Sequence, residues 1–444
     1  MGLYNLKSLY NNKTFIAQSN FCILLFKFII TSSLVIKEYT TYEVNLWYST
    51  TTIFSLLLVL PNLTMGSFVR FITYTLNEKK ITIFKNEKEI ELKVKLKSIK
   101  KIIDIFYFSM LIITTALCVT FIYFKIFSDL NIEKKEIYCF SFTLISIVAV
   151  YCHKYKCLMY SYKFVESAIR IELLINLVIM IIVTSMFAMK FELYLILLTN
   201  ISSIAIVYLI YLVFYRRYIS GFRQNEKSKI DVNIINSIIR SASSNFLNNL
   251  CLNIIPLILT FSHASIQTNM FLFMNRIIQT ISKSSNLFFS PYIPELTNLI
   301  SKNQFLKLKK IVFKIISRIT VFLSAIFVAI SFVSNFKSTY NPIDSQYFNL
   351  YIFLFAFMLM FMDRIYNLAI SLIYCSNNIC FISNLTISLI VIIICYYLYP
   401  FTSLYVLFAF QYVIKIIFLG FKPFRLIYLN YNLNFFPLNK LKYD

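Results

Sequence analysis

Apolar residues run along this chain in blocks about as long as a bilayer is thick, and polar residues collect between them. A helix needs about 20 apolar residues to cross the hydrocarbon core. Twelve blocks approach that length, at 14–36, 47–69, 102–124, 137–158, 167–189, 191–214, 240–262, 268–290, 312–334, 347–373, 379–399 and 401–420. The blocks are continuous and do not alternate residue by residue, so they predict helices and not barrel strands. In lipid, a helix is also the form in which a single segment satisfies its own backbone. The expected architecture is an all-α membrane protein.

The connections sort by charge. Lys79, Lys80, Lys85, Lys88, Lys93, Lys95, Lys97, Lys100 and Lys101 follow the second span, and Lys154, Lys156 and Lys163 close the fourth. Arg216, Arg217, Arg223, Lys227 and Lys229 follow the sixth, and Lys302, Lys307, Lys309, Lys310 and Lys314 the eighth. The intervening connections are short and poor in cations. Basic loops stay in the cytoplasm, so both termini are expected there, the carboxyl tail with Lys422, Arg425, Lys440 and Lys442 included. The first run, from Thr14, holds Lys27 and lacks a small-residue cleavage site, which reads as a retained span.

The spacing also divides the chain. Six spans occupy 1–215, a basic linker fills 216–239, and six more spans with a tail occupy 240–444. Each half carries a long basic segment after its second span, 77–101 in one and 295–310 in the other. Two related six-helix bundles are a recurrent transporter plan.

Composition narrows the function. A mean hydropathy of +0.72 with 14% charged residues excludes an ordinary soluble protein. The net charge of +24 is carried by the loops, so it argues for anionic lipid headgroups and against nucleic acid. Four glycines cannot build a glycine-rich phosphate loop, which excludes ATP hydrolysis within this chain. Nine cysteines lie mostly in apolar runs, and the pairs Cys152/Cys157 and Cys375/Cys380 have no metal-ligand spacing. The two histidines, His153 read in a basic loop and His263 in a short outer one, join no catalytic set. No cofactor and no metal are expected. Tyr48, Tyr74, Tyr107, Tyr123, Tyr218 and Tyr347 fall near span ends and read as interface anchors.

What remains is a small set of polar groups inside the spans, where they are costly and usually face a cavity or a partner. In the eighth span Asn275/Arg276, Gln279, Ser282/Lys283 and Asn286 recur at helical spacing, and in the seventh Ser241, Asn245, Asn248/Asn249 and Asn253 form a similar stripe. Two such helices either line a hydrated cavity or hydrogen-bond to each other. Lys27 lies mid-span, while Arg70 and Lys415 are equally able to snorkel to the interface. Several cations on one cavity suit a phosphate or pyrophosphate. Lys27, Arg70, Arg276 and Lys283, with Asn275, Gln279 and Asn249, are therefore the candidate substrate-binding residues. Asp363 is either an ion-coupling group for a proton or sodium ion or the neutralising partner of a cation on another helix. Its neighbour Arg364 points about 100° away on a helix, so the two are not expected to pair.

The second span ends Leu63-Thr64-Met65-Gly66-Ser67-Phe68-Val69-Arg70, and the eighth exits through Asn286-Leu287-Phe288-Phe289-Ser290-Pro291-Tyr292-Ile293-Pro294. With the twelve-span layout, these segments resemble polysaccharide flippases of the Wzx type, in the exporter superfamily that also holds the multidrug and toxin extruders. The resemblance implies two six-helix bundles around a central cavity in a bacterial inner membrane. It implies a substrate too: an undecaprenyl-pyrophosphate-linked oligosaccharide repeat unit, flipped for O-antigen or capsule synthesis. A polysaccharide polymerase and a chain-length regulator are the partners it suggests. A cation-coupled multidrug or small-molecule exporter of the same fold is the first alternative and would carry more acids inside its spans. An O-antigen polymerase or membrane glycosyltransferase is the second and would carry a large outer loop.

Overall fold

The computed structural model describes residues 13–81, 86–123, 135–161, 164–218, 232–261, 265–285, 288–289, 292–333, 346–374, 381–398 and 403–431. Fourteen helices account for the regular structure of these residues. The first half contains α1 (Lys13–Glu38), α2 (Thr41–Ile81), α3 (Asn86–Phe121), α4 (Lys135–Ser161), α5 (Val165–Ala188) and α6 (Leu193–Tyr218). The second contains α7 (Val232–Thr260), α8 (Ile266–Ser285), α9 (Ile293–Ser301), α10 (Phe305–Val333), α11 (Leu350–Tyr374), α12 (Ile382–Leu398), α13 (Leu404–Leu419) and α14 (Lys422–Tyr431).

Local signals place several helix ends. Thr40 and Glu43 form a reciprocal cap on α2: the Thr40 amide donates to Glu43 Oε2 at 2.9 Å and the Glu43 amide to Thr40 Oγ1 at 3.4 Å. Ser265 accepts from the Thr268 amide at 3.0 Å to start α8, and Asn349 accepts from Ile352 at 3.1 Å to start α11. Gly420, at φ 51°, ends α13, and α14 leaves it at 42°. Pro61 in α2 and Pro256 in α7 each remove one backbone donor from a long helix.

Among the described residues nine helices are long and apolar enough to cross a membrane, and the bent pair α13–α14 brings the number to ten. Of the other two expected spans, α12 is apolar but has only 17 residues, and α8 has the length without the apolarity. Lipid-facing surface is plain on α3, where Phe108, Ile112 and Val119 are exposed, and on α10, where Val321, Val328 and Phe332 are. Apolar patches of that extent mark a surface made for lipid. The chain is thus a multi-pass membrane protein.

The two halves pack by the same rule. In the first, α1 meets α5, α2 meets α3 and α4, α3 meets α4, α4 meets α6, and α5 meets α6. In the second, α7 meets α12, α8 meets α10 and α11, α10 meets α11, α11 meets α13, and α12 meets α13. Shifting six spans maps each pair of one set onto a pair of the other. Between the halves that symmetry breaks. Helix α2 packs along α7, whereas the corresponding pair α1 and α8 barely touch.

Two segments read as basic loops are structured. Helices α2 and α3 extend well past their spans, to 41 and 36 residues, and α9 occupies the segment after the eighth span. Lys154 and Lys156 are not loop residues either. Both sit in α4, bonded to Asp104 at 2.9 Å and to Glu172 at 2.9 Å. Both fall inside the membrane-length helix, as packed side chains.

Candidate functional site

A cavity of about 370 Å³ opens beside α1. Its walls come from α1, α2, α4, α5 and α6 of the first half, and α8 closes it from the second. It therefore lies on the amino-terminal side of the junction. None of its described lining residues comes from α7.

Four ionisable side chains line it: Lys27, Arg276, Lys156 and Glu172. Lys27 is 7% exposed, and its Nζ donates only to neutral oxygens, Asn200 O at 3.4 Å and Ser203 Oγ at 3.3 Å. The Arg276 guanidinium donates to Ser55 Oγ on α2. Among the described residues neither cation has a carboxylate within ion-pairing distance. Lys156 differs, because Glu172 holds it, and Tyr211 donates to the same carboxylate oxygen at 2.9 Å. Among its described lining residues, three cations stand against one carboxylate. Around them stand Asn20, Asn62, Asn176 and Asn200, together with Trp47, Tyr48 and Tyr208. Amides and aromatic faces beside buried cations can bind a polar, anionic guest, and the low-dielectric walls strengthen every such contact.

The structure distributes the expected site residues unevenly. It brings Lys27 and Arg276 together on one cavity. The side chains of Arg70 and Lys283 lie outside the described residues. Gln279 does not face the cavity; its amide donates to Asn253 Oδ1 on α7 at 2.7 Å. Asn275 is buried away from the cavity, and Asn249 bonds to the Asn245 carbonyl of its own helix at 2.8 Å. The stripe on α8 is two faces side by side: Arg276 and Thr280 look into the cavity, and Asn275 and Gln279, rotated by one residue, do not. A sequence stripe cannot separate them, since adjacent positions differ by only about 100°.

Asp363 is fully buried and saturated. Lys415 Nζ bonds to its Oδ1, while Arg364 at 3.0 Å and Asn367 at 2.6 Å bond to its Oδ2. The expectation that Asp363 and Arg364 would not pair is overturned. The long guanidinium arm folds back along α11 and bridges the angle that the Cα–Cβ vectors leave open. Lys415 does not snorkel either; it is fully buried against Asp363. Asn248 of α7 joins the same group through Asn367 at 2.9 Å.

Sequence reading missed Glu172, Lys156 and Ser55. Glu172 gave a signal, standing alone among Ile171, Leu173, Leu174 and Ile175; Ser55 gave none. His153 was also misplaced. It is buried in α4, with Nδ1 2.8 Å from the Tyr107 hydroxyl and Nε2 2.9 Å from Asn62 Oδ1. Tyr48, Tyr107 and Tyr347 are likewise buried and not interface anchors, whereas Tyr123 is exposed as expected.

No protein-family model and no curated protein matches the chain. Solved structures do, over nearly its whole length. A structure named only protein A aligns with a TM-score of 0.65 at 12% identity, covering 98% of each chain. A MATE transporter crystallised in complex with MaL6 aligns with a TM-score of 0.57 at 8% identity, covering 95% of this chain and 98% of that one. The Vibrio cholerae MATE transporter VcmN, in its bent form, aligns with a TM-score of 0.53 at 10% identity, covering 96% of this chain and 97% of that one. The chain has the two-lobed, all-α fold of the MATE transporters of the MOP superfamily. At these identities the likeness establishes the fold.

Proposed function

We propose that this protein flips an anionic lipid-linked substrate, an undecaprenyl-pyrophosphate-linked oligosaccharide, across a bacterial inner membrane for O-antigen or capsule synthesis. The observation that carries this reading is the pair Lys27, buried, and Arg276, partly buried, on one cavity with no carboxylate partner among the described residues. Burying an unpaired charge costs several kcal/mol, and a guest with phosphate charge recovers that cost. Arginine adds two-point recognition of phosphate oxygens. A polyprenyl tail can stay in the bilayer while the head group occupies the cavity. Both termini are then cytoplasmic, and a polymerase and chain-length regulator take over the product.

Replacing Arg276 with alanine is expected to abolish surface polysaccharide while the protein remains folded in the membrane. Polysaccharide at the normal level in that variant, with its membrane abundance matched to wild type, would refute the role.

The second reading is a cation-coupled exporter of drugs or small molecules, and the shared fold with multidrug transporters favours it. Against it stands the cavity charge. The one carboxylate among its described lining residues, Glu172, is already bonded to Lys156. The readings divide on one pair of variants. A cationic-drug exporter loses resistance in Glu172→Gln and keeps it in Arg276→Ala; an anion flippase loses its function in Arg276→Ala.

A further inference from the structure

Arg276 does two things at once. It lines the cavity, and its guanidinium is bonded across the junction of the halves to Ser55 on α2. That bond is the inner end of a seam. Two turns earlier on α8, Asn269 accepts from Asn45 Nδ2 at 2.9 Å and donates to the Thr41 carbonyl at 2.9 Å. Between these ties Phe273 packs on Tyr48 of α2 at 5.6 Å and on Phe28 of α1 at 6.3 Å. The seam closes the side of the molecule where α2 and α8 begin, and Asn45 and Asn269 are almost wholly buried in it. Among the described residues of this seam only the Arg276–Ser55 tie carries charge; the others are neutral amide bonds and ring contacts.

We propose that Ser55 is a positioning residue that couples occupancy of the cavity to opening of this seam. The inference rests on the reading of the cavity as an anion site. A guanidinium is a rigid planar fork, so taking a phosphate on two of its N–H groups reorients the whole group. A single hydroxyl is outcompeted by a phosphate, which offers the guanidinium two parallel bonds and an opposite charge where Ser55 offers one bond and none. An anion bound in the cavity therefore draws Arg276 from Ser55 and removes the charged tie of the seam. The neutral ties of Asn269 to Asn45 and Thr41 and the ring contacts of Phe273 then hold that side. In the empty protein Ser55 parks Arg276 and keeps the seam shut.

The test is hydrogen exchange of the full chain in lipid nanodiscs, with and without saturating inorganic pyrophosphate, beside calorimetric binding of the same anion. In wild type, pyrophosphate is expected to speed exchange in 41–50 and 266–273 by several-fold, up to about tenfold, the range one hydrogen bond spans. Ser55→Ala should bind pyrophosphate, show the faster exchange without it, and respond little to its addition. Ser55→Thr, which keeps the hydroxyl, should restore the wild-type response. Pyrophosphate that binds wild type and leaves these segments unchanged overturns the coupling and spares the anion site. A Ser55→Ala protein that keeps the full response does the same. Absence of pyrophosphate binding to wild type overturns both.

Discussion

Two regions of this molecule place charge inside the membrane, and they do so in opposite ways. In the carboxyl-terminal half, Asp363 is enclosed by Lys415, Arg364 and Asn367, and every group has a partner of complementary character. At the cavity on the amino-terminal side of the junction, Lys27 of α1 and Arg276, reaching in from α8 of the other half, bond only to neutral oxygens among the described residues. A saturated cluster ties helices together. An unsaturated one keeps its binding capacity for something else. Buried charge in a membrane is a functional signal chiefly when its partner is missing.

The comparison can be broken by mutation. The largest effect on stability is expected from Lys415→Ala. It strips Asp363 of its cation on α13 in a fully buried setting, and such losses cost about 3–5 kcal/mol. Thermal unfolding in detergent, followed by fluorescence-detected size exclusion, should show it, and the double variant Asp363→Asn/Lys415→Met should recover most of the loss. If Lys415→Ala instead melts like wild type and stops transport, the carboxyl-terminal cluster is a working site and the contrast fails.

Next comes Lys27→Met. The amino-terminal cavity predicts the reverse split, with thermal stability kept or raised and pyrophosphate binding weakened about tenfold, or ~1.4 kcal/mol. Unchanged affinity would remove Lys27 from the site.

A smaller effect of opposite sign is expected from Glu172→Gln. It releases Lys156 and adds positive charge to the cavity, so pyrophosphate should bind a few-fold tighter at low salt, with the gain shrinking as salt rises. Weaker binding would mean that Glu172 itself contacts the guest. The smallest effect is expected from Arg170→Ala. Its partner Glu166 is one turn away and both side chains are about a third exposed, so the melting temperature should reflect about 0.5 kcal/mol or less.

Much of the fold was legible in the order of residues, because a bilayer accepts few alternatives to an apolar helix of set length. Every one of the twelve expected spans coincides with a helix, including α12 and α8, which fall short in length or apolarity. The site was legible only in part. Lys27 and Arg276 announced themselves as charges where charge is costly. Gln279 and Asn275 announced themselves in the same way and proved to face elsewhere, because lipid-buried polar groups serve as glue as readily as they serve a cavity. Lys156 was hidden among its basic neighbours, since a charge count does not show which cation has a carboxylate on another helix to hold it.

The sequence by itself determined that this chain crosses a membrane as helices in two matched sets and that a few cations lie inside them. Apolar length and charge placement are properties of single segments, so they can be read one segment at a time. Which cations stay unpaired depended on the tertiary structure. It brought Lys415 from α13 to Asp363 on α11, 52 residues away. It also brought Arg276 from α8 to Ser55 on α2, 221 residues away, beside Lys27 on α1. Charge compensation is a matter of a few ångströms in space, and only packing sets that distance.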